Sequence, residues 1–525
     1  MAESIDGARS GLTSVTRGTL VMMIGTLGFV AESFVARVIL VRTLFPIDPD
    51  LWSEFSLALA LGGLISAFGS LGLGPAIARS LPFESAEGER RRMVHTAYVV
   101  GGPAALLVAL ALGVFALVLL TSFQAQVFGI TLLFFSVAVG LSVFAGILAA
   151  IFQGYEDVIP NAFYNQVLNP LLFIVFLIAA ALVAPRGDTY LGVLIAYVVA
   201  AILSFLMLVL YARSRLPRHL AEGPREPGVS RKLLIFAAPL FLVGILGYVT
   251  NNGDTLILGA YARGSVGFYT ADLSLARLLQ VGIGSLGYIF LPVTARLVRA
   301  GDRGAVRITY ATATKWMVLT SLPLFLVFFF FPNESLQFVY SAAFPPSAVP
   351  LQLLVFGAFF STLVGPASMA QVAYGQTRLL FYNTLTCAGL DLVLAFTLIP
   401  AYGLTGAAIA WASANAVYPV LSLAQIAVLQ GVHPFGGHYV LPLLVTALPL
   451  SAALVLLPLT PPFWALPVLA IGVALLFLAA VLLTRSIDAG DRLLLEAVER
   501  VLRRRLPLVR RLAAFSAWLS GKRPA

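Results

Sequence analysis

Ionisable and amide side chains sit where apolar ones would be expected in two parts of this chain. Residues 233–260 and 266–297 are consecutive apolar runs joined by Tyr261-Ala262-Arg263-Gly264-Ser265; the first holds Asn251-Asn252-Gly253-Asp254, the second Asp272, Arg277 and Gln280. Near the start, run 19–43 holds Glu32 and Arg37, and the next run holds Glu54. Such groups cost a few kcal/mol each in hydrocarbon, so they persist mainly where they face a protein interior or a wet cavity. Arginine makes forked contacts to phosphate-like anions, which makes Arg37 and Arg277 candidates for holding one. Glu32 and Asp254 are candidates for binding a coupling H⁺ or Na⁺. The two runs between 231 and 303 are read as walls of a transport path.

The elements that must position these groups are transmembrane helices. Of 525 residues, 60% are hydrophobic and 11% charged, and the mean hydropathy is +0.96. Ordinary soluble chains are about 45–50% apolar and about 25% charged. The apolar runs are around twenty residues long, as helical spans require, and do not alternate in ten-residue strands. Fourteen spans are expected, at 19–43, 53–79, 96–121, 128–152, 161–184, 190–212, 233–260, 266–297, 307–331, 349–373, 378–400, 404–430, 439–459 and 462–484. The fold class is therefore all-α and polytopic.

The distribution of the +10 net charge decides its meaning. With the N-terminus inside, 27 of the 33 Lys and Arg residues fall in inside segments, and only Arg42, Arg186 and Arg263 fall outside. That asymmetry is the positive-inside pattern, so both termini are expected in the cytoplasm of a multi-pass cell-membrane protein, with no nucleic-acid role. The segment before the first run is polar and contains Glu3 and Asp6, unlike a secretory signal.

Five regions follow: a six-helix bundle over 1–212, a basic Pro/Gly-containing linker over 213–232, a second six-helix bundle over 233–430, two extra helices over 439–484, and a basic tail over 485–525. An internal repeat supports the division. Val30-Ala31-Glu32-Ser33 and Ser70-Leu71-Gly72 in the first pair of spans correspond to Val249-Thr250-Asn251-Asn252 and Ser285-Leu286-Gly287 in the seventh and eighth. Repeats with a site at their interface are a common plan of secondary transporters.

At about 1.5 Å per residue, Glu32 lies about 20 Å into its span and Arg277 about 17 Å into the eighth. Arg37 and Asp254 come out nearer the outer face, Lys315 in the inner half of the ninth span, and Asp391 near mid-depth in the eleventh. Glu32 and Arg277 either form a structural ion pair or belong to the transport path. Asn161, Asn165 and Asn169 share one helix face, which interhelical hydrogen bonding or cavity lining would explain. Pro103, Pro170, Pro239 and Pro366 predict kinks. In the tail, Asp488 and Asp491 are placed for a capping box, followed by a basic amphipathic helix suited to the inner membrane surface.

Several chemistries are disfavoured. There is no phosphate-binding Gly-x-x-x-x-Gly-Lys-Ser/Thr loop and there are only three lysines. One cysteine, Cys387, precludes a disulfide framework. His95, His219, His433 and His438 show no metal-ligand spacing. The longest outer loop, Pro332 to Pro350, has one acid and no base, whereas an integral-membrane glycan polymerase or ligase, the alternative of another class, would place paired catalytic groups in a larger one.

Several motifs resemble the oligosaccharide flippases of the multidrug/oligosaccharidyl-lipid/polysaccharide (MOP) superfamily. These are Gly253 to Gly259 with Val266 to Ala271, Leu291 to Leu297, Leu398 to Ala410, and Gly72-Leu73-Gly74 with Ala76 to Arg79. The resemblance implies a MATE-like arrangement, two six-helix bundles around a central cavity, with two extra C-terminal helices. It implies translocation of a polyprenyl-(pyro)phosphate-linked oligosaccharide to the outer leaflet by a monomer that uses no cofactor beyond H⁺ or Na⁺. Its partners would be membrane lipids and other glycan-assembly membrane proteins. Carried onto this sequence, the substrate-binding set is Arg37, Glu54, Asn251, Asn252, Arg277 and Gln280, with Glu32 and Asp254 as coupling-ion residues and no catalytic or metal-binding residue. Within the superfamily, a peptidoglycan-precursor flippase and a multidrug antiporter are the alternatives.

Overall fold

A computed structural model describes residues 25–491, apart from 45, 85, 122–124, 156, 184, 186, 216–229, 341–343, 345, 346, 457–460, 463, 485 and 487–490. Most of the expected linker and tail, with Asp488, thus lies outside the described residues. The described residues form helices and no strand. Residues 25–44 are α1, followed by α2 (Pro49–Gly69), α3 (Leu73–Ser80), α4 (Glu87–Leu120), α5 (Gln126–Gly154), a π-helical stretch (Asn161–Leu168), α6 (Asn169–Val183), α7 (Thr189–Arg215) and α8 (Arg231–Tyr261). Then come α9 (Val266–Leu278), α10 (Val281–Arg299), α11 (Arg303–Phe330), α12 (Pro332–Val339), α13 (Ala348–Val364), α14 (Ala367–Ala373), α15 (Thr377–Tyr402), α16 (Leu404–Gln430), α17 (Gly437–Leu456) and α18 (Ala465–Leu483).

Twelve described helical segments are long and apolar enough to cross a membrane, and they match the expected spans other than the first and eighth. Leu106, Leu110, Val114 and Val118 of α4 are each about 60% exposed at four-residue spacing. Such a stripe suits acyl chains and would be an aggregation surface in water.

Two expected spans are interrupted. The run 53–79 ends as α2 at Gly69 and restarts as α3, because Leu71 and Gly72 take left-handed backbone angles. A Cβ at Gly72 would strike the Ala237 carbonyl and the Phe241 amide of α8, so close backbone approach requires glycine there. The run 266–297 breaks at Leu279-Gln280, between α9 and α10. The repeat aligned Ser70 to Gly72 with Ser285 to Gly287, yet the latter are helical in α10 and the break falls upstream. The expected outer loop 332–350 contains the short helix α12.

Prolines mark junctions as well as helix interiors. Pro103 and Pro239 lie inside α4 and α8, whereas Pro366 follows Gly365 (φ +73°), where α13 gives way to α14. Pro170 follows the π-helical stretch. Its ring would crowd the carbonyl four residues back, and widening the preceding turns relieves that clash.

By its contacts the chain divides into units Met1–Gly267 and Phe268–Ala525. In the first, Phe55 of α2 is ringed by Phe135, Phe173 and Tyr197, and Phe135 stacks on Tyr197 at 4.5 Å. Helix α8 joins this unit through Tyr248, whose hydroxyl donates to the Ala60 carbonyl at 2.7 Å over the Cβ-less Gly63. The turn after α8 is fastened to the start of α2. Ser53 Oγ donates to the Gly264 carbonyl (2.8 Å) and accepts from Gly267 N (3.0 Å), and Trp52 Nε1 donates to the Gly267 carbonyl (2.8 Å). Arg263 grips Glu54 through Nη2 (2.6 Å) and Nε (3.0 Å) and lies 4.4 Å over the Phe128 ring. Because Arg263 is about one-third exposed, replacing it with Met should destabilise the unit by only about 1–2 kcal/mol, read as a small fall in melting temperature in detergent. Glu54→Gln with Arg263→Met should recover part of that loss.

In the second unit, α11 is the most enclosed span, 61% of its apolar window being buried. Tyr310, Ala313 and Met317 pack with Phe290, Val364 and Ile426, and Tyr310 donates its hydroxyl to the Val364 carbonyl at 2.9 Å. Between α15 and α16, Asn383 and Gln425 exchange amide hydrogen bonds of 2.9 and 2.8 Å. Lys315 of α11 is 1% exposed; its Nζ donates to Asp491 Oδ2 (2.8 Å) and the Ser486 carbonyl (2.7 Å), while Trp316 Nε1 donates to Asp491 Oδ1 (2.6 Å). Asp491, expected with Asp488 in a capping box, thus has a partner far from it in the sequence. Its carboxylate answers a buried ammonium 176 residues away in sequence, where leaving that charge unpaired would cost far more than an uncapped helix end.

Candidate functional site

In the first unit, α1 carries Glu32 and Arg37, both half-buried. Gly25 lets this helix lie against the π-helical stretch, since a Cβ there would crowd Gln166 and Ala162. Glu32 continues the face of Gly25 and Gly28 at seven- and four-residue spacing. Its Oε2 is buried without a hydrogen-bond partner among the described residues, which suits an atom awaiting a proton or cation.

The asparagine stripe is engaged along its own segment, where Asn165 Nδ2 donates to Asn161 Oδ1 at 3.2 Å, so the expected interhelical bonding does not account for it. Asn165 and Asn169 instead line a hollow of about 270 Å³ with Ser142 of α5 and Tyr197 and Ser204 of α7. Ser204 Oγ donates to the Tyr164 carbonyl at 2.8 Å, tying α7 to the π-helical turn that shapes the hollow.

The other first-unit residues divide. Glu54 is paired with Arg263, both bonds falling on its Oε2. Asn251 and Asn252 return their amide N–H groups to the Gly247 and Tyr248 carbonyls of α8 (2.8 and 3.4 Å). Asp254, two residues on, is fully buried.

In the second unit the helix break does the positioning. Arg277, half-buried, occupies the last turn of α9, where a cation complements the negative end of the helix. Gln280 stands at the break and donates Nε2 to Asn415 Oδ1 of α16 (3.2 Å), and Asn415 donates in turn to the Trp411 carbonyl (3.2 Å). One turn further out, Asp272 is fully buried, with both carboxylate oxygens about 3 Å from Ser347 Oγ. Together these groups can receive an anion at Arg277 and hydroxyls at Gln280 and Asn415.

Sequence reasoning named Asp272, Arg277 and Gln280 but not their neighbours. Asn415 carried a usable signal, an amide within an apolar span, whereas Ser347 lies outside the long spans, where such residues are ordinary. Their roles arise from tertiary contacts only.

A family model described as polysaccharide biosynthesis protein matches residues 15–298, more than half of the chain. The chain belongs to that family. No curated protein sequence matches it. Among solved structures it is similar to the lipid II flippase MurJ in an inward closed conformation, with a TM-score of 0.67 and 16% identity over 87% of this chain and 97% of that one. It is also similar to an inward-facing multidrug resistance MATE family transporter, TM-score 0.54 and 16% identity over 80% and 99%, and to a MOP superfamily transporter from Pyrococcus furiosus, TM-score 0.51 and 15% identity over 78% and 94%. At these identities the likeness establishes the fold. With twelve described helices long and apolar enough to cross a membrane, this member of the polysaccharide biosynthesis family is a multi-pass membrane protein.

Proposed function

We propose that the protein translocates a polyprenyl-(pyro)phosphate-linked oligosaccharide from the cytoplasmic to the outer leaflet by alternating access, driven by an ion gradient. The observation that carries this reading is the interrupted span 266–299, which sets Arg277 and the Gln280–Asn415 pair at a helix break inside an apolar run. Interrupted helices at membrane depth are how transporters present backbone ends and polar side chains to a charged cargo. A phosphate needs a fixed, forked cation and a sugar needs amides, and both types are present. The positive-inside charge asymmetry supports cytoplasmic termini. In this reading Asn251 and Asn252 offer further acceptors, Arg37 a second cation, and Glu32 and Asp254 the ion-coupling carboxylates.

The test is reconstitution of the whole chain in liposomes with a short-chain, fluorescent polyprenyl-diphospho-sugar. The label should become accessible on the opposite leaflet while its glycan keeps its length on chromatography; lengthening or transfer of the glycan would instead show a polymerase or ligase. Glu32→Gln should abolish acceleration by an imposed H⁺ or Na⁺ gradient while slow downhill exchange persists. Full acceleration in both Glu32→Gln and Asp254→Asn would remove the coupling role from both.

A further inference from the structure

At the end of the first unit that carries Arg79 and Arg90 to Arg92, a second hollow of about 540 Å³ opens between α3, α5 and the π-helical stretch. This volume lies within the range of about 300–1,000 Å³ typical of small-molecule pockets. Its walls are small residues, among them Gly74, Ala78 and Gly146, and its polar groups are Arg79, Gln153 and Asn161. A Cβ at Gly146 would meet nothing within 4 Å, so no side chain of the described residues fills the space there.

Neighbouring cations are already answered. Arg90 donates Nε to the Glu84 carbonyl, Arg91 pairs with Glu87 at 2.8 Å, and Arg92 with Glu89 at 3.5 Å. Arg79 has its guanidinium 4.9 Å over the Phe236 ring and makes no ion pair or side-chain hydrogen bond among the described residues. Cation–π stacking holds the plane of the guanidinium while leaving its N–H edge free. Gln153 is exposed and Asn161, at the first residue of the π-helical stretch, uses its Oδ1 to accept from Asn165. Its amide N–H₂ remains to be donated. A planar forked cation beside two primary amides, in a hollow whose floor is too small-sided to crowd a ring, matches an anion joined to a polyol.

We propose that this hollow binds the phosphate-bearing sugar end of a glycolipid, at a position other than Arg277 and Gln280, with Arg79 on the phosphate and Gln153 and Asn161 on sugar hydroxyls. The substrate class rests on the flippase reading above; the hollow and its chemistry do not.

The experiment uses Gly146→Cys in the full chain, whose natural thiol Cys387 is 2% exposed, so that alkylation by a bulky maleimide reports the hollow. In phosphatidylcholine nanodiscs, farnesyl-diphospho-N-acetylglucosamine should slow alkylation by about tenfold or more at saturation. Farnesyl diphosphate should slow it less, and phosphatidylglycerol should have no effect. Arg79→Gln should remove the protection and Arg79→Lys restore part of it. Separately, Gly146→Leu should weaken equilibrium binding of the same probe by about tenfold without lowering the melting temperature, because the new side chain occupies only the hollow. Absence of protection, protection that survives Arg79→Gln, or Gly146→Leu binding like the parent would each overturn the site. Equal protection by farnesyl diphosphate would remove the sugar contacts, and equal protection by phosphatidylglycerol would reduce the hollow to a phospholipid contact. If the probe is flipped without protection, this site fails and the flippase stands; if protection occurs without flipping, the reverse holds.

Discussion

Arg277→Ala should abolish translocation of a lipid-linked sugar while the protein still reaches the membrane in ordinary amounts. Arg277 ends α9 at the break in span 266–299, with Gln280 and Asn415 following it. Removing a desolvated charged contact of this kind costs about 2–5 kcal/mol, so transport should fall by roughly thirtyfold to several thousandfold. Arg277→Lys keeps the charge but loses the flat fork, and should recover only part of the rate. The loss should be independent of sugar identity, because the phosphate is common to all such lipids. Gln280→Ala should instead discriminate between sugars, since an amide reads hydroxyls. Initial flipping rates in proteoliposomes, normalised to protein incorporated, check both. A normal rate in Arg277→Ala would take the headgroup away from this residue.

The largest expected stability effect is at Lys315. Its ammonium has two acceptors, Asp491 Oδ2 and the Ser486 carbonyl, in an environment with almost no solvent exposure. Lys315→Met takes the ammonium away from the Asp491 carboxylate, and breaking a buried pair from one side costs about 3–5 kcal/mol. For a unit of this size that corresponds to a fall in melting temperature on the order of 10 °C. The double change Lys315→Met with Asp491→Leu should return much of the loss, because replacing both charges leaves neither stranded. Thermal scans of the four variants in one detergent give the coupling energy directly. Equal losses in the single and double variants would show that volume, not charge, holds this contact.

The fold was legible because hydrocarbon imposes a simple demand. Every backbone polar group in the bilayer must be satisfied within its own segment, so long apolar runs have to be helices. Length and hydropathy alone therefore located twelve of the fourteen expected spans, although the second ends ten residues early, at Gly69, and the third starts nine residues early, at Glu87. The candidate groups Glu32, Arg37, Asp254, Arg277 and Gln280 also stood out, because an ionisable or amide residue in an apolar run is costly wherever the chain puts it.

Tertiary contact decided what those groups touch. Glu54 and Arg263 are 209 residues apart, and nothing local distinguishes this carboxylate, held by an arginine, from that of Glu32, whose Oε2 has no such partner among the described residues. The breaks at Ser70 to Gly72 and at Leu279-Gln280 were hidden for a similar reason. Apolar side chains continue through both, so hydropathy sees one run, while helix continuity depends on backbone angles that the neighbouring helices enforce. That Lys315 and Asp491 form a buried pair is likewise a fact of packing, since 176 residues separate them. Composition determines what must leave water; only the packed chain determines which polar groups answer one another and which are left for a cargo.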